Sequence, residues 1–229
     1  VGVGLVDSRP EASVLWTGKR YPEAEARRGP ADQDFPDDPA GRYDYARAAE
    51  KTGHYTTMEK QLRELIRTQP DNPQAYNALG YSLADRNQRL PEASKLIDKA
   101  MTLAPNDAYI MDSLGWVKYR MGDTAGAAKV LRRAYELQPN AEIGAHLGEV
   151  LWKSGAQDDA RSAWRDAQKL EPDNETLVQT PKRLQINGLS CRCSPSFPFP
   201  PVRRPRWSPP ARRLPPPAAP APPRHPTPL

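Results

Sequence analysis

The sequence predicts an all-α protein in which antiparallel helix pairs stack into a solenoid. The prediction depends on three markers that recur about every 34 residues and keep step with one another. They are a Leu-Gly pair (Leu79-Gly80, Leu114-Gly115, Leu147-Gly148), a mostly small residue (Met58, Ala93, Ala127, Ala160) and a proline (Pro70, Pro105, Pro139, Pro172).

The two helices of each unit are predicted from different markers. The Leu-Gly pair is expected to open the first helix, where leucine fills the seam and glycine lets the partner helix approach closely. The second helix is predicted from an apolar stripe, in which a small residue is followed four positions later by a larger one. These pairs are Ala93 and Ile97, Ala127 and Leu131, and Ala160 and Trp164.

The boundaries of the units follow from capping and turn residues. Each proline ends one unit, and the Asp or Asn residues after it offer a side chain that caps the next helix. Turns between paired helices carry Gly53, Gly122 and Gly155, since glycine adopts a left-handed backbone at the least cost. The second unit has one extra residue in this turn, around residues 88–91.

One known repeat family has this period and these marker residues. The match rests on Tyr76, Leu79, Gly80, Ala93 and Pro105, and it resembles the tetratricopeptide repeat. The resemblance implies a right-handed superhelical solenoid of about four units with a short cap. The repeats are assigned to residues 39–72, 73–107, 108–140 and 141–174, and the cap to residues 175–186.

On both sides of the solenoid the repeat pattern decays. Residues 1–38 are expected to be a degenerate half repeat or disordered, because Gly29-Pro30 would interrupt a helix. In the cap, Pro181 is expected to leave two short turns, since a proline inside a helix costs about 3 kcal/mol. Residues 187–229 are rich in Pro and Arg and are expected to be disordered or polyproline II, because they hold too few aliphatic residues for a core.

The distribution of charged residues divides the chain into an acidic part up to Glu175 and a basic part beyond it. All 28 acidic residues and 24 of the 33 Lys and Arg residues lie at or before Glu175, so the net charge of +5 combines −4 up to that residue with +9 beyond it.

No apolar run approaches the roughly 18 to 20 residues that a membrane-spanning helix needs. Cys191 and Cys193 supply too few ligands for a zinc site, and we expect no structural role for them.

The sequence carries no catalytic pattern. His54, His146 and His225 stand apart from any paired base or nucleophile, and the sequence has neither a phosphate-binding glycine loop nor a zinc cluster. We therefore predict a non-catalytic protein without metal or cofactor, which acts as a scaffold or adaptor by binding a protein or peptide partner.

The binding groove is predicted on the concave side, which the first helices of the pairs line. Tyr81 and Trp116 hold equivalent places there and would anchor a peptide. The alternative is that these two aromatics fill the seam between repeats, as Trp152 and Trp164 are expected to do. Helical spacing from the buried leucines selects the groove residues Asp44, Arg47, Lys51, Asn77, Tyr81, Asp85, Tyr109, Asp112, Trp116, Arg120, Glu142, His146, Glu149 and Lys153.

The family resemblance also bears on the kind of partner. Tetratricopeptide domains that hold the C-terminal carboxylate of chaperones use a Lys/Asn/Asn/Lys/Arg set, whereas the corresponding places here hold Asp44, Ala78 and Ser113. The resemblance therefore implies a partner that is not recognised by its terminal carboxylate.

A narrower resemblance bears on the compartment. Residues 75–87, 112–117 and 145–152 resemble the C-terminal repeats of proteobacterial envelope proteins of this family, some of which bring proteases or cell-wall hydrolases to their substrates. This implies the bacterial periplasm or envelope, with the cytoplasm as the alternative, and it leaves the oligomeric state open.

Three interpretations of the Pro/Arg tail remain open. Its arginines and Trp207 would suit a nucleic acid or an anionic surface, which is the alternative function for the protein. Pro198, Pro201 and Arg203 match a motif that SH3 domains bind. The loss of acidic residues also fits an out-of-frame or unselected extension beyond Ile186.

Overall fold

The computed structural model describes residues 20–23, 25–26 and 38–186 and confirms the all-α solenoid for this part of the chain. Residues 21–23 and 25–26 are helical, and these described segments contain no strand. Residues 38–186 form nine helices: α1 Pro39–Lys51, α2 Tyr55–Thr68, α3 Pro73–Asp85, α4 Leu90–Leu103, α5 Ala108–Arg120, α6 Thr124–Leu137, α7 Ala141–Lys153, α8 Gln157–Leu170 and α9 Glu175–Arg183.

Consecutive helices pack as pairs, and each predicted repeat contains one pair. Three pairs are joined by three-residue turns with Gly53, Gly122 or Gly155 in the left-handed region, at φ values of 81°, 93° and 89°. The turn between α3 and α4 has one more residue and uses Asn87 and Arg89 at φ 55° and 44° instead of glycine. The extra residue is therefore accommodated within the turn, and α3 and α4 keep the same lengths as the other helix pairs.

Side chains cap the first helices as the sequence predicts. Asn72 accepts hydrogen bonds from the backbone N–H groups of Gln74 and Ala75 at the start of α3. Asp107 and Asn140 cap α5 and α7 in the same way. Each such cap stabilises its helix by about 1 kcal/mol. The Asp and Asn residues after each proline thus fix where the repeats begin.

Close helix crossings explain the recurring glycines. A Cβ atom added at Gly80, Gly115 or Gly148 would lie 2.8 Å from Ile97, 2.5 Å from Leu131 or 2.2 Å from Trp164. The expectation that the Leu-Gly pair opens the first helix is wrong, because the pair lies midway along it. The midpoint is where the two helices of a pair approach most closely, so glycine is required there.

Among the described residues, the core includes two large apolar clusters and a small one of Ala108, Ala134 and Ile143. The first joins helices α1 to α5 and includes Leu62, Leu79, Ile97 and Trp116. The second joins helices α6 to α9 and includes Trp164, which confirms that this tryptophan packs in the core. Trp152 is half-buried and packs against the second cluster, with its ring centroid 5.8 Å from that of Trp164.

The cap forms a single helix, so the expectation of two short turns at Pro181 is wrong. Pro181 lies in the last turn of α9, and its ring removes only the backbone hydrogen bond that would reach back to Leu177. The chain then closes with hydrogen bonds from Leu184 to Thr180 and from Ile186 to Pro181, each 3.0 Å long. Leu177, Leu184 and Ile186 cover the second core cluster.

Several expectations fall on residues outside the described segments. They concern most of the half repeat in residues 1–38, the cysteines Cys191 and Cys193, His225 and the Pro/Arg tail with its three interpretations. Among the residues that the structure does describe, no helix combines the length and apolarity that crossing a bilayer requires.

Candidate functional site

The inner face of the solenoid is built from equivalent positions of the first helices. The ninth residue of each such helix points to this face, and these residues are Arg47, Tyr81, Trp116, Glu149 and Arg183. Their neighbours along the same helices add Asp85, Asp112, Arg120, Glu142 and His146.

His146 is the centre of the inner face and is only 1% exposed. Its Nδ1 lies 3.0 and 2.9 Å from the two carboxylate oxygens of Asp112, and its Nε2 lies 3.4 Å from the Tyr81 hydroxyl. Its ring stacks on Trp116, with centroids 4.3 Å apart. A single side chain on α7 therefore joins α3 and α5.

The Trp116 side chain is fully buried and held by polar contacts on its edges. Its Nε1 donates a hydrogen bond of 3.1 Å to Asp85. The guanidinium groups of Arg120 and Arg183 lie over the ring, 5.4 and 5.9 Å from its centroid. Arg120 also donates to the backbone carbonyl of Ala84 at 3.0 Å, which fixes it at the end of α3.

A second buried acid lies beside this tryptophan. Glu149 is 2% exposed and accepts hydrogen bonds from the Tyr119 hydroxyl, at 3.3 Å, and from the Arg183 guanidinium. Burial raises the pKa of Glu149, and the charge of Arg183 opposes the shift. Burial and the nearby Glu149 charge raise the pKa of Tyr119 to about 12.

Carboxylates surround Tyr81 on the inner face. Burial, followed by the charges of Glu142, Asp85, Asp112 and Glu50, raises the pKa of the Tyr81 hydroxyl well above its usual value. Burial also raises the pKa of Glu50 and of Glu142. Tyr81 therefore stays protonated at neutral pH and acts only as a neutral hydrogen-bonding group.

Burial alone would lower the pKa of His146, but the charge and the hydrogen bond of Asp112 raise it to about 9, with further help from Glu142 and Asp85. Because the folded pKa lies above the unfolded value, the stabilisation from this pair is fully present below about pH 6.5 and is lost as the pH rises through about 9.

The unfolding free energy is expected to fall by about 3 kcal/mol between pH 6.5 and 9.5, as each pKa unit corresponds to about 1.4 kcal/mol. Urea titrations followed by circular dichroism at several pH values measure this fall. His146→Gln should flatten the profile, whereas His54→Gln, at a side chain that is 64% exposed, should keep it. An unchanged profile in His146→Gln would contradict the assignment.

The structure corrects the groove prediction for four of its residues. Asp112, Trp116, His146 and Glu149 are buried, because the inner faces of α3, α5 and α7 contact one another instead of lining an open groove. Exposed or half-buried groove residues are Asp44, Arg47, Lys51, Asn77, Tyr81, Asp85, Tyr109, Arg120, Glu142 and Lys153.

Tyr109 lies apart from this inner cluster. It is 44% exposed, and its hydroxyl accepts hydrogen bonds from Gln138 at 3.1 Å and from Asn140 at 3.5 Å. These partners belong to the loop between α6 and α7, so Tyr109 fixes a repeat boundary.

Two residues of the inner face, Arg183 and Glu50, are not among those that helical spacing selects. Arg183 follows Glu175 at the same interval at which Trp116 follows Ala108, so the repeat register could have placed it on the inner face. Glu50 belongs to α1 and contributes to the carboxylate group around Tyr81.

His54 is not isolated, contrary to the sequence prediction. Its Nδ1 lies 2.7 Å from the Glu25 carboxylate, which also accepts a hydrogen bond from Thr52. His54 and Glu25 line an open cavity of about 830 Å³, together with Tyr21 and Tyr45. Within the described residues, no group of three His, Cys, Asp or Glu side chains is arranged to hold a metal ion.

Sequence models of one family match the chain in two places. Models described as tetratricopeptide repeat match residues 39–82 and 113–175. TPR repeat-containing protein PA4667 of Pseudomonas aeruginosa is 48% identical over 115 residues, which are 50% of this chain and 20% of that protein. The chain thus spans about one fifth of that relative's length.

Solved structures show the same fold. The thermophilic TPR protein TTC0263 of Thermus thermophilus has a TM-score of 0.68 at 23% identity, over 77% of this chain and 97% of that one. YrrB, a TPR protein with an unusual peptide-binding site, has a TM-score of 0.50 at 17% identity, over 75% of this chain and 88% of that one.

Proposed function

We propose, from the premise that this chain is a tetratricopeptide repeat protein, that it is a non-catalytic scaffold holding a segment of a partner protein against its inner face. Tetratricopeptide repeats commonly mediate interactions between proteins, and the peptide-binding site of the neighbour YrrB supports the same kind of function here.

The observation that carries the proposal is the chemistry of the accessible part of the inner face. Arg47, Asp85 and Lys153 are exposed there, and Asn77 and Tyr81 are half-buried. Such groups can bond the backbone of an extended peptide while the aromatic ring supplies apolar contact.

Charge limits the kind of partner. The places that hold a terminal carboxylate in chaperone-binding members are occupied by Asp44, Ala78 and Ser113. Together with the carboxylates around Tyr81, they disfavour an anionic terminus on this face. We therefore propose an internal partner segment.

Site-specific photo-crosslinking in bacteria tests the proposal. A benzoylphenylalanine residue at exposed inner position 47 or 153 is expected to capture one common protein segment, which mass spectrometry identifies. The same residue at position 99 or 129, exposed on second helices, is the matched control and should not capture it. Capture of the same segment at the control positions, or at none of the four, contradicts the proposal.

A truncated chain separates the groove from the Pro/Arg tail. If residues 187–229 are removed, capture at positions 47 and 153 is expected to be unchanged. Loss of capture would instead assign binding to the basic tail, which is the alternative function.

A further inference from the structure

The last helix contacts more of the inner face than a terminal cap requires. At its C-terminal end, Arg183 bonds Glu149 on α7 and lies over the Trp116 ring of α5. At its N-terminal end, Glu175 lies 3.7 Å from the Lys51 ammonium of α1. Helix α9 therefore connects three of the four repeats from the inner side.

The place that Arg183 occupies has the properties of a binding site for a guanidinium group. Glu149 is a buried carboxylate, and the Tyr119 hydroxyl holds it in position. The face of Trp116 supplies a cation–π surface, which attracts arginine more strongly when water is excluded. Arg183 itself keeps 46% of its side chain exposed, whereas Glu149 keeps 3%. The Glu149 carboxylate is thus a buried part of the repeat core, whereas Arg183 reaches it from the half-exposed end of α9.

Helix α9 is held weakly compared with the repeats. It has nine residues, of which only Leu177 and Thr180 are buried, and Pro181 removes one of its backbone hydrogen bonds. The ion pair between Lys51 and Glu175 is exposed on both sides, and such pairs contribute little. The end of α9 can therefore separate from the inner face while the four helix pairs remain folded.

We infer that Glu149, Tyr119 and the face of Trp116 form an arginine site, which Arg183 fills within the chain and an arginine of the partner segment fills when α9 moves away. The inference rests on the proposed function and names the side chain by which the partner would be recognised. Arg120 and His146 also face Glu149 and are cationic. Because Arg183 bonds the Glu149 carboxylate and lies over the Trp116 ring within the chain, it competes directly with the partner.

The test uses the full chain and N-acetyl-arginine amide as the probe. In the variant Arg183→Ala the site is vacant, so the probe is expected to bind at least about tenfold more tightly than it binds the unmodified chain. Binding is measured by the shift of the Trp116 indole N–H signal. N-acetyl-lysine amide should bind more weakly than the arginine probe, because a point charge lacks the planar fork. The indole signal of Trp164, which donates to Ala145 in the core, should not move.

The double variant Arg183→Ala with Glu149→Gln is the control for the site. It is expected to lose the response to the arginine probe. An equal response in the single and double variants, or no response of the single variant to the probe, overturns the inference.

A stability measurement covers the case in which Arg183→Ala unfolds in part. The arginine probe should then raise the melting temperature of Arg183→Ala more than that of the double variant, and equal shifts overturn the inference. Neither measurement involves a partner protein, so a negative result leaves the photo-crosslinking test of the proposed function unaffected.

Discussion

Replacing Trp116 with alanine is expected to lower the unfolding free energy by about 3 to 5 kcal/mol, the range found when a buried tryptophan or phenylalanine is truncated. The ring is fully buried, stacks on His146 and donates a hydrogen bond to Asp85. Its removal leaves a cavity where α3, α5 and α7 meet and leaves the Asp85 oxygen without its donor. Urea denaturation followed by circular dichroism measures the loss.

Two further variants decide what the tryptophan contributes. Trp116→Phe keeps most of the ring and loses the N–H group, so it should cost only about 1 to 2 kcal/mol. Tyr109→Phe, at an exposed aromatic on the same helix, loses only two exposed hydrogen bonds to its hydroxyl and should cost at most about 1 kcal/mol. If Trp116→Ala is as stable as the unmodified chain, the ring does not support the fold, and the open groove that the sequence predicts is correct.

Replacing Gly148 with alanine is expected to cost about 3 kcal/mol, near the upper end of the usual range for an overpacked core. The new Cβ would lie 2.2 Å from Trp164 Nε1, and the indole cannot turn away because it donates to the Ala145 carbonyl at 3.1 Å. Alanine gains about 1 kcal/mol of helix propensity over glycine, which offsets only part of the clash.

A comparison with the preceding repeat isolates the role of the ring. Gly115→Ala meets the Leu131 side chain at 2.5 Å, and leucine can change rotamer, so this variant should lose less stability than Gly148→Ala. The double variant Gly148→Ala with Trp164→Leu should lose less than the sum of the two single changes, because the clash is removed. Additive losses in the thermal or urea unfolding data would contradict this explanation.

The sequence predicted the repeat because local chemistry determines it. Asn72, Asp107 and Asn140 cap their helices through contacts within three residues, and Gly80 meets Ile97 inside the same repeat. Such features repeat with the period and can be read without knowledge of how the repeats stack.

The inner face could be located from the sequence, but its accessibility could not. Helical spacing places Trp116 and His146 on the inner side. Whether they are exposed depends on how closely α3, α5 and α7 approach across that side, and this distance is a property of the stacked repeats. The error at Pro181 has a different cause, since the cost of a proline depends on its position and is smaller in the last turn.

The contact between Tyr81 and His146 has a consequence for how the domain unfolds. In a simple linear array each repeat touches only its neighbours, so the ends can unfold while the middle persists. Here a side chain of the second repeat bonds one of the fourth, and the third lies between them with Trp116 stacked on the same imidazole. Loss of any one of these three repeats removes contacts of the other two, which makes them a single cooperative unit.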